Sequence, residues 1–194
     1  MKKVCLLRGS PRKHGNTNAL LIPLVDEFKK CGCEIENFDL YTLDIQPCLA
    51  CRKCQDDWST PNCVHSDDMQ SIFSAILGSD LILLATPIYS WYCTPPMKAA
   101  LDRLVYAMNK YYGMETGPSL WAGKSVAVVA TCGYPPEKGA DLFEEGIKRY
   151  CKHSNLKYLG MACERHLGYA TKFMDDQKVG RMQEFAKRVL IKHF

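Results

Sequence analysis

With 194 residues, 47% of them hydrophobic, the chain can bury one sizeable core but is too short for two full domains, so a single domain over residues 1–194 is expected. A net charge of +4 from 25 basic and 21 acidic residues, scattered rather than blocked, argues against nucleic-acid or membrane binding and suits anionic small molecules. The longest apolar stretches, near residues 81–85 and 125–130, are far too short to span a bilayer, and Met1-Lys2-Lys3 leads directly into a strand pattern without a cleavable signal, so a cytoplasmic protein is expected.

In chain order, the first element is a short buried strand at residues 3–7. It is followed by Gly9-Ser10-Pro11-Arg12-Lys13-His14-Gly15-Asn16-Thr17-Asn18 and then by helical spacing over 17–30. A strand feeding a helix through a loop rich in small, hydroxyl and amide residues presents unpaired N–H groups and a partial positive charge to an anion. A phosphate is therefore expected here. Ser10, Asn16, Thr17 and Asn18 can add side-chain donors, while Gly9 and Gly15 permit close backbone approach. The loop has neither the dinucleotide glycine spacing nor the ending of a P-loop. Pro23 should kink the first helix or delay its start.

A second strand is expected at 34–40, and then a cysteine-rich segment at about 44–65 exceeds ordinary connections. A helix at 67–77 and a strand at 81–86 follow. Next comes Thr86-Pro87-Ile88-Tyr89-Ser90-Trp91-Tyr92-Cys93-Thr94-Pro95, leading into a helix at 94–108 that Thr94 can cap and on which Lys98 and Asp102 can pair. A second long connection spans 109–122. The remaining elements are a strand at 125–131, a loop beginning Thr131-Cys132-Gly133, a helix at 139–151, a strand at 157–163 and a helix at 175–191. In that last helix Val179, Met182, Phe185, Ala186, Val189 and Leu190 share a face and Asp175 can cap the start. Strands alternating with helices give an α/β fold, a doubly wound five-stranded parallel sheet of order 2-1-3-4-5 with helices on both faces, whose ligand lies beyond the carboxyl ends of the strands at the switch point.

The loop at residues 9–18, and the Thr-Pro-Ile-Tyr segment followed by Pro-x-x-x-Lys-x-x-x-Asp-Arg between Thr86 and Arg103, resemble the NAD(P)H-dependent FMN reductases and iron–sulfur flavoproteins of the flavodoxin-like group. The resemblance implies that Ser10, Arg12, Gly15, Asn16, Thr17 and Asn18 surround an FMN phosphate. It also implies that Pro87, Ile88, Tyr89, Ser90 and Trp91 border the isoalloxazine, with Thr131, Cys132 and Gly133 as further neighbours. Plain turn chemistry explains the last three equally well, and core packing competes for the aromatics.

Eleven cysteines without a secretion signal read as thiols or metal ligands rather than a disulfide framework. Cys48, Cys51, Cys54 and Cys63 give Cys-x2-Cys-x2-Cys-x8-Cys within one loop, a spacing suited to a four-iron four-sulfur cluster; zinc, or thiols without metal, remain open. The resemblance favours iron, with Cys63 as fourth ligand across a final gap of eight residues that is longer than the family's usual one. Cys5, Cys31, Cys33, Cys151 and Cys163 read as small packed hydrophobes. No histidine suggests a catalytic base: His14 lies in the first loop, His65 borders the cysteines, and His153, His166 and His193 read as surface or local hydrogen-bonding residues.

The expected activity is an FMN-dependent oxidoreductase passing electrons from NAD(P)H, or from a reduced protein, to a small acceptor such as a flavin or quinone. Its main competitor is a non-catalytic electron carrier of the flavodoxin type, against which the positive charge and the cysteine loop count; a metal or redox sensor is a third reading. The resemblance further implies a homodimer or homotetramer, with Trp91, Tyr111, Tyr112 and the cysteine loop as interface candidates.

Overall fold

Strand β1 (Lys2–Arg8) sends Val4 and Leu6 into one core and Cys5 and Leu7 into another, so a single seven-residue segment divides the molecule into two apolar layers. The computed structural model describes residues 2–168 and 170–193. Strands β2 (Cys33–Asp39), β3 (Leu81–Pro87), β4 (Ser125–Cys132) and β5 (Lys157–Arg165) complete a parallel sheet of order β2-β1-β3-β4-β5. This is the doubly wound, flavodoxin-like order expected from the alternation of strand and helix patterns. β3 and β4 are buried throughout, as expected for strands covered on both faces.

Helix α1 (Asn16–Lys30) and helix α6 (Asp176–His193) cover one face, where Leu20, Leu24 and Phe28 meet Phe185 and Val189. Helices α2 (Met69–Gly78), α3 (Pro95–Met108) and α5 (Asp141–His153) cover the other, burying Ile72, Phe73, Met97, Leu104, Phe143 and Ile147. Asp175 caps α6 as expected, accepting from the Lys178 backbone N–H at 2.8 Å.

Three expectations need correction. Of the two effects expected of Pro23, a kink or a delayed start, the delay does not occur: α1 starts at Asn16 and runs through Pro23. An interior proline costs about 3 kcal/mol. Fully burying Leu20, Leu24 and Phe28 contributes about 1.5–3 kcal/mol each, which outweighs that cost. The helix expected at 139–151 is instead a short turn, α4 (Pro136–Gly139), followed by α5, with Ala140 leaving helical geometry at φ −125° between them. The proline pair at 135–136 preforms that extra turn. Among the cysteines expected to be packed, Cys31 is exposed at the end of α1, whereas Cys5, Cys33 and Cys151 are buried. No helix among the described residues is long and apolar enough to cross a membrane.

Candidate flavin cleft and cysteine pocket

The switch point lies between β1 and β3, whose chains leave toward opposite faces. The Gly9 N–H donates to the Ala85 carbonyl at 2.7 Å, and the Gly9 carbonyl accepts from Thr94 Oγ1 at 2.7 Å. Thr94 therefore caps α3 through its backbone position only, because its hydroxyl is spent on the first loop. A Cβ on Gly9 would lie 2.8 Å from that hydroxyl oxygen, which is why the position takes glycine.

The loop enters α1 at Gly15, which offers no side-chain cap, and no acidic residue occupies the first turn. The leading N–H groups of α1 therefore face outward with an uncompensated positive end. Asn18 Nδ2 donates to the Arg12 and Lys13 carbonyls at 3.1 Å each, so this side chain shapes the loop. Thr17 Oγ1 pairs with Thr131 Oγ1 at 2.7 Å in a buried contact, and Ser10 is buried with its hydroxyl 3.4 Å from the Arg12 carbonyl.

Above this loop opens a cleft of about 380 Å³, bordered by Arg12, Asn16, Pro87 to Tyr89 and Thr131 to Gly133. Its wall also includes His166, whose Nδ1 lies 3.0 Å from Asn16 Nδ2. His166 is a site residue that its sequence context did not mark; it reaches the cleft because β5 runs beside β4, with its N–H donating to the Cys132 carbonyl at 2.7 Å. A second cavity of about 490 Å³ adjoins the first, sharing Ile88, Tyr89, Cys132 and Gly133 and adding Ser90, Trp91, Tyr134 and Gly139.

The outer wall of that cavity is held in an unusual backbone. Tyr89 and Tyr92 exchange two backbone hydrogen bonds of 2.8 and 2.9 Å across Ser90 and Trp91, both left-handed at φ 49° and 64°. Such mirror-image turns usually take Asn-Gly, and a bulky residue there is strained. Trp91 is held by stacking on Tyr134 at 6.0 Å and 13°, and by donating Nε1 to the Lys138 carbonyl at 3.0 Å. Strain kept beside a cleft by surrounding contacts is characteristic of functional sites.

The cysteine loop sits against the C-terminal half of α3. Cys48, Cys51, Cys54 and Cys63 line one apolar cavity of about 20 Å³, which Arg103 and Tyr106 also border. Two buried cations hold it. Lys110, fully buried, donates Nζ to the Cys54 and Thr60 carbonyls at 2.6 Å, and burial pushes its pKa down. Arg103 donates to Cys63 Sγ at 3.2 Å and to the Gln46 carbonyl at 3.3 Å, and pairs with Asp67. Among the described residues its Nε has no hydrogen-bond partner. The Ala50 N–H points to Cys48 Sγ at 3.4 Å, and Ala50 and Arg52 are left-handed at φ 52° and 59°. Backbone N–H groups gathered by such turns favour anionic sulfur centres. Among the described residues no group of three or more His, Cys, Asp or Glu side chains converges closely enough to hold one metal ion. Because Ala50 is exposed and strained, Ala50→Gly is expected to raise the unfolding free energy of the metal-free protein by about 1 kcal/mol in urea titrations.

A sequence model described as NADPH-dependent FMN reductase matches residues 2–139. The chain belongs to the NADPH-dependent FMN reductase family. This reductase-family chain is 33% identical over 137 residues to an iron–sulfur flavoprotein from Archaeoglobus fulgidus, an alignment covering 71% of the chain and 58% of that relative. It is 30% identical to an iron–sulfur flavoprotein from Methanosarcina thermophila, covering 63% of the chain and 64% of the relative. The chain thus spans about three fifths of the length of these two curated relatives. Among solved structures, an FMN-dependent NADH-azoreductase from Bacillus anthracis in complex with FMN shares the fold with a TM-score of 0.69 at 13% identity, covering 100% of both chains. An NAD(P)H:quinone oxidoreductase from Methanothermobacter marburgensis also has a TM-score of 0.69, at 16% identity, covering 100% of the chain and 98% of that structure.

Proposed function

We propose that this protein is an FMN-dependent oxidoreductase that takes electrons from NAD(P)H, or from a reduced protein, and delivers them to a small acceptor. The observation that carries this reading is the uncapped, acid-free start of α1 opening into a cleft bounded by the loops after β3 and β4. Those residues fit FMN: the leading N–H groups of α1 with Ser10 and Arg12 would hold the phosphate, and the Pro87 to Ser90 and Thr131 to Gly133 backbones would border the ring. Bound there, FMN supplies the capacity to accept and release electrons singly or in pairs. The chain's own part is to orient and to exclude water, through the Tyr89 to Trp91 turn and the Tyr134 ring. No titratable base is required of it.

A four-iron four-sulfur cluster held by Cys48, Cys51, Cys54 and Cys63 is the second part of this proposal; the 20 Å³ cavity they line is smaller than a cluster, so binding would require the loop to open. The shared cavity, the N–H donors toward Cys48 and Cys63 and the two buried cations suit an anionic cluster, and relatives bearing the iron–sulfur name add support. Protein purified without oxygen is expected to show flavin and iron–sulfur absorption and to turn over NAD(P)H with a quinone. Cys51→Ser is expected to lose most of its iron by elemental analysis while keeping FMN. Flavin binding without NAD(P)H turnover, together with fast exchange with a redox protein, would instead identify an electron carrier; protein that refuses FMN ends the redox reading. A homodimer or homotetramer, with Trp91 and Tyr112 at its interface, and a single domain over residues 1–194, accompany the proposal; sedimentation and limited proteolysis test them.

A further inference from the structure

β4 and β5 bring together two cysteines distant in sequence. Ala130 lies opposite Cys163 and Cys132 opposite Arg165, so both cysteines project from one face of the sheet, two residues apart along the strand direction. Their sulfurs are 3.5 Å apart. Cys132 is the last residue of β4 and borders both cavities of the flavin cleft. A Cβ on Gly139 would lie 3.2 Å from the Cys132 sulfur, so that glycine leaves room for the thiol.

The remaining buried thiols outside the cysteine loop lack this setting. Burial pushes Cys5, Cys93 and Cys151 up to about 12, where almost no thiolate exists at neutral pH. Cys132 moves the other way. The Cys163 S–H, and secondarily the Arg165 guanidinium, hold it below the ordinary thiol value against the opposing effect of burial, while Cys163 is pushed up. As a thiol Cys132 donates to the Tyr134 carbonyl at 3.0 Å; as a thiolate it accepts from Cys163. Two thiols within contact distance, one of them opening onto a cleft, is the geometry of a dithiol pair.

We propose that Cys132 and Cys163 form a redox-active dithiol on the rim of the flavin cleft, closing to an intramolecular disulfide as two electrons and two protons pass to oxidised flavin. The proposal rests on the FMN reading above. Two S–H bonds break and one S–S bond forms; both electrons and both protons are taken up by the oxidised flavin, giving dihydroflavin, and the reverse reaction restores the thiols. Closing the bond requires the sulfurs to approach to about 2.05 Å, through side-chain rotation and a small shift at the end of β4. The pair would hold an electron couple beside the flavin and open the site to disulfide-containing acceptors.

The test begins with a binding titration of FMN, and continues with FMN-loaded protein reduced with a phosphine, freed of reductant without oxygen and mixed with excess FMN. In wild type, about one equivalent more flavin should bleach than in Cys163→Ser, and differential alkylation with mass spectrometry should find a peptide joining positions 132 and 163. Diamide oxidation of the wild type should give the same linked peptide, a readout that needs no variant to fold. Protein that binds no FMN fails the functional reading, and the titration reveals this first. Protein that binds FMN yet gives no linked peptide, or bleaches no more flavin than Cys163→Ser, overturns the dithiol alone.

Discussion

Asp67→Ala is expected to lower the unfolding free energy by about 3–5 kcal/mol, read as a reduced urea midpoint at pH 7. Asp67 and Arg103 are almost fully buried, with side-chain exposures of 2% and 0%. Asp67 also accepts from the backbone N–H groups of Gln46 at 3.0 Å and Met69 at 3.2 Å, so one carboxylate ties the entrance of the cysteine loop to the start of α2. Its removal leaves a guanidinium with no countercharge in the interior, and that desolvation makes the cost large. The contrast is Lys98 with Asp102, bonded at 2.6 Å but nearly half exposed; Asp102→Ala should cost only a few tenths of a kcal/mol. The effect of Asp67→Ala should also depend on pH. Burial alone pushes the Asp67 carboxyl up, but the Arg103 hydrogen bond and the backbone donors together hold it below its ordinary value of 3.8. A depressed carboxylate stabilises fully above that value and loses its contribution as pH falls through the folded pKa. Wild type and variant should therefore converge in acid, and a constant gap down to pH 2 would refute the pairing as the cause.

Ser10→Asp is expected to weaken FMN binding by at least about a hundredfold, whereas Ser10→Ala should weaken it by roughly tenfold or less. The difference comes from charge. A phosphomonoester carries nearly two negative charges at neutral pH. A carboxylate about 5 Å away in an effective dielectric near 20 repels it by several kcal/mol, and even 3 kcal/mol after solvent relaxation exceeds a hundredfold. Losing one neutral hydrogen bond costs only about 0.5–1.5 kcal/mol. Ser10 is buried in the loop that leads into α1, its hydroxyl 3.4 Å from the carbonyl of Arg12, which borders the cleft, so the new charge would lie in the loop proposed to hold the phosphate. Fluorescence titration of flavin-free protein measures both constants, with thermal melts to establish that each variant folds. Equal affinities for Ser10→Asp and wild type would mean that the phosphate binds elsewhere.

The inner strands β1, β3 and β4 were legible because buried parallel strands leave short apolar runs between helical patterns, and residues 81–86 and 125–131 are the clearest of these; the edge strands β2 and β5, only partly buried, were legible from their place between helical patterns. The loops that border the cleft were legible because they carry small, polar and proline residues at strand ends. What could not be read depends on contacts between distant segments. Lys110 looks like any loop lysine until Cys54 and Thr60 close over it. Cys163 looks like a packed hydrophobe because nothing near it in sequence announces Cys132, 31 residues away. Thr94 carried a helix-cap signal that was correct for its position, while its hydroxyl went to Gly9, 85 residues earlier. Trp91 in a left-handed turn contradicts local preference and is held by the Tyr89–Tyr92 backbone pair, by Tyr134 and by Lys138.

Helix α3 has one end bonded to the first loop through Thr94 and its later turns bonded to the cysteine loop through Arg103 and, just beyond, Lys110. Thr94 and Arg103 are nine positions apart, about 14 Å of rise and two and a half turns. The helix thus serves as a spacer of fixed length and phase between the first loop and the cysteine loop. Surface connections can gain or lose residues at little thermodynamic cost. One residue added within this spacer would swing Arg103 by about 100° away from Cys63 and Asp67 while leaving Thr94 in place. Descendants of this sequence, natural or engineered, should therefore vary freely in the loops around α3 and keep the number of residues between these anchors.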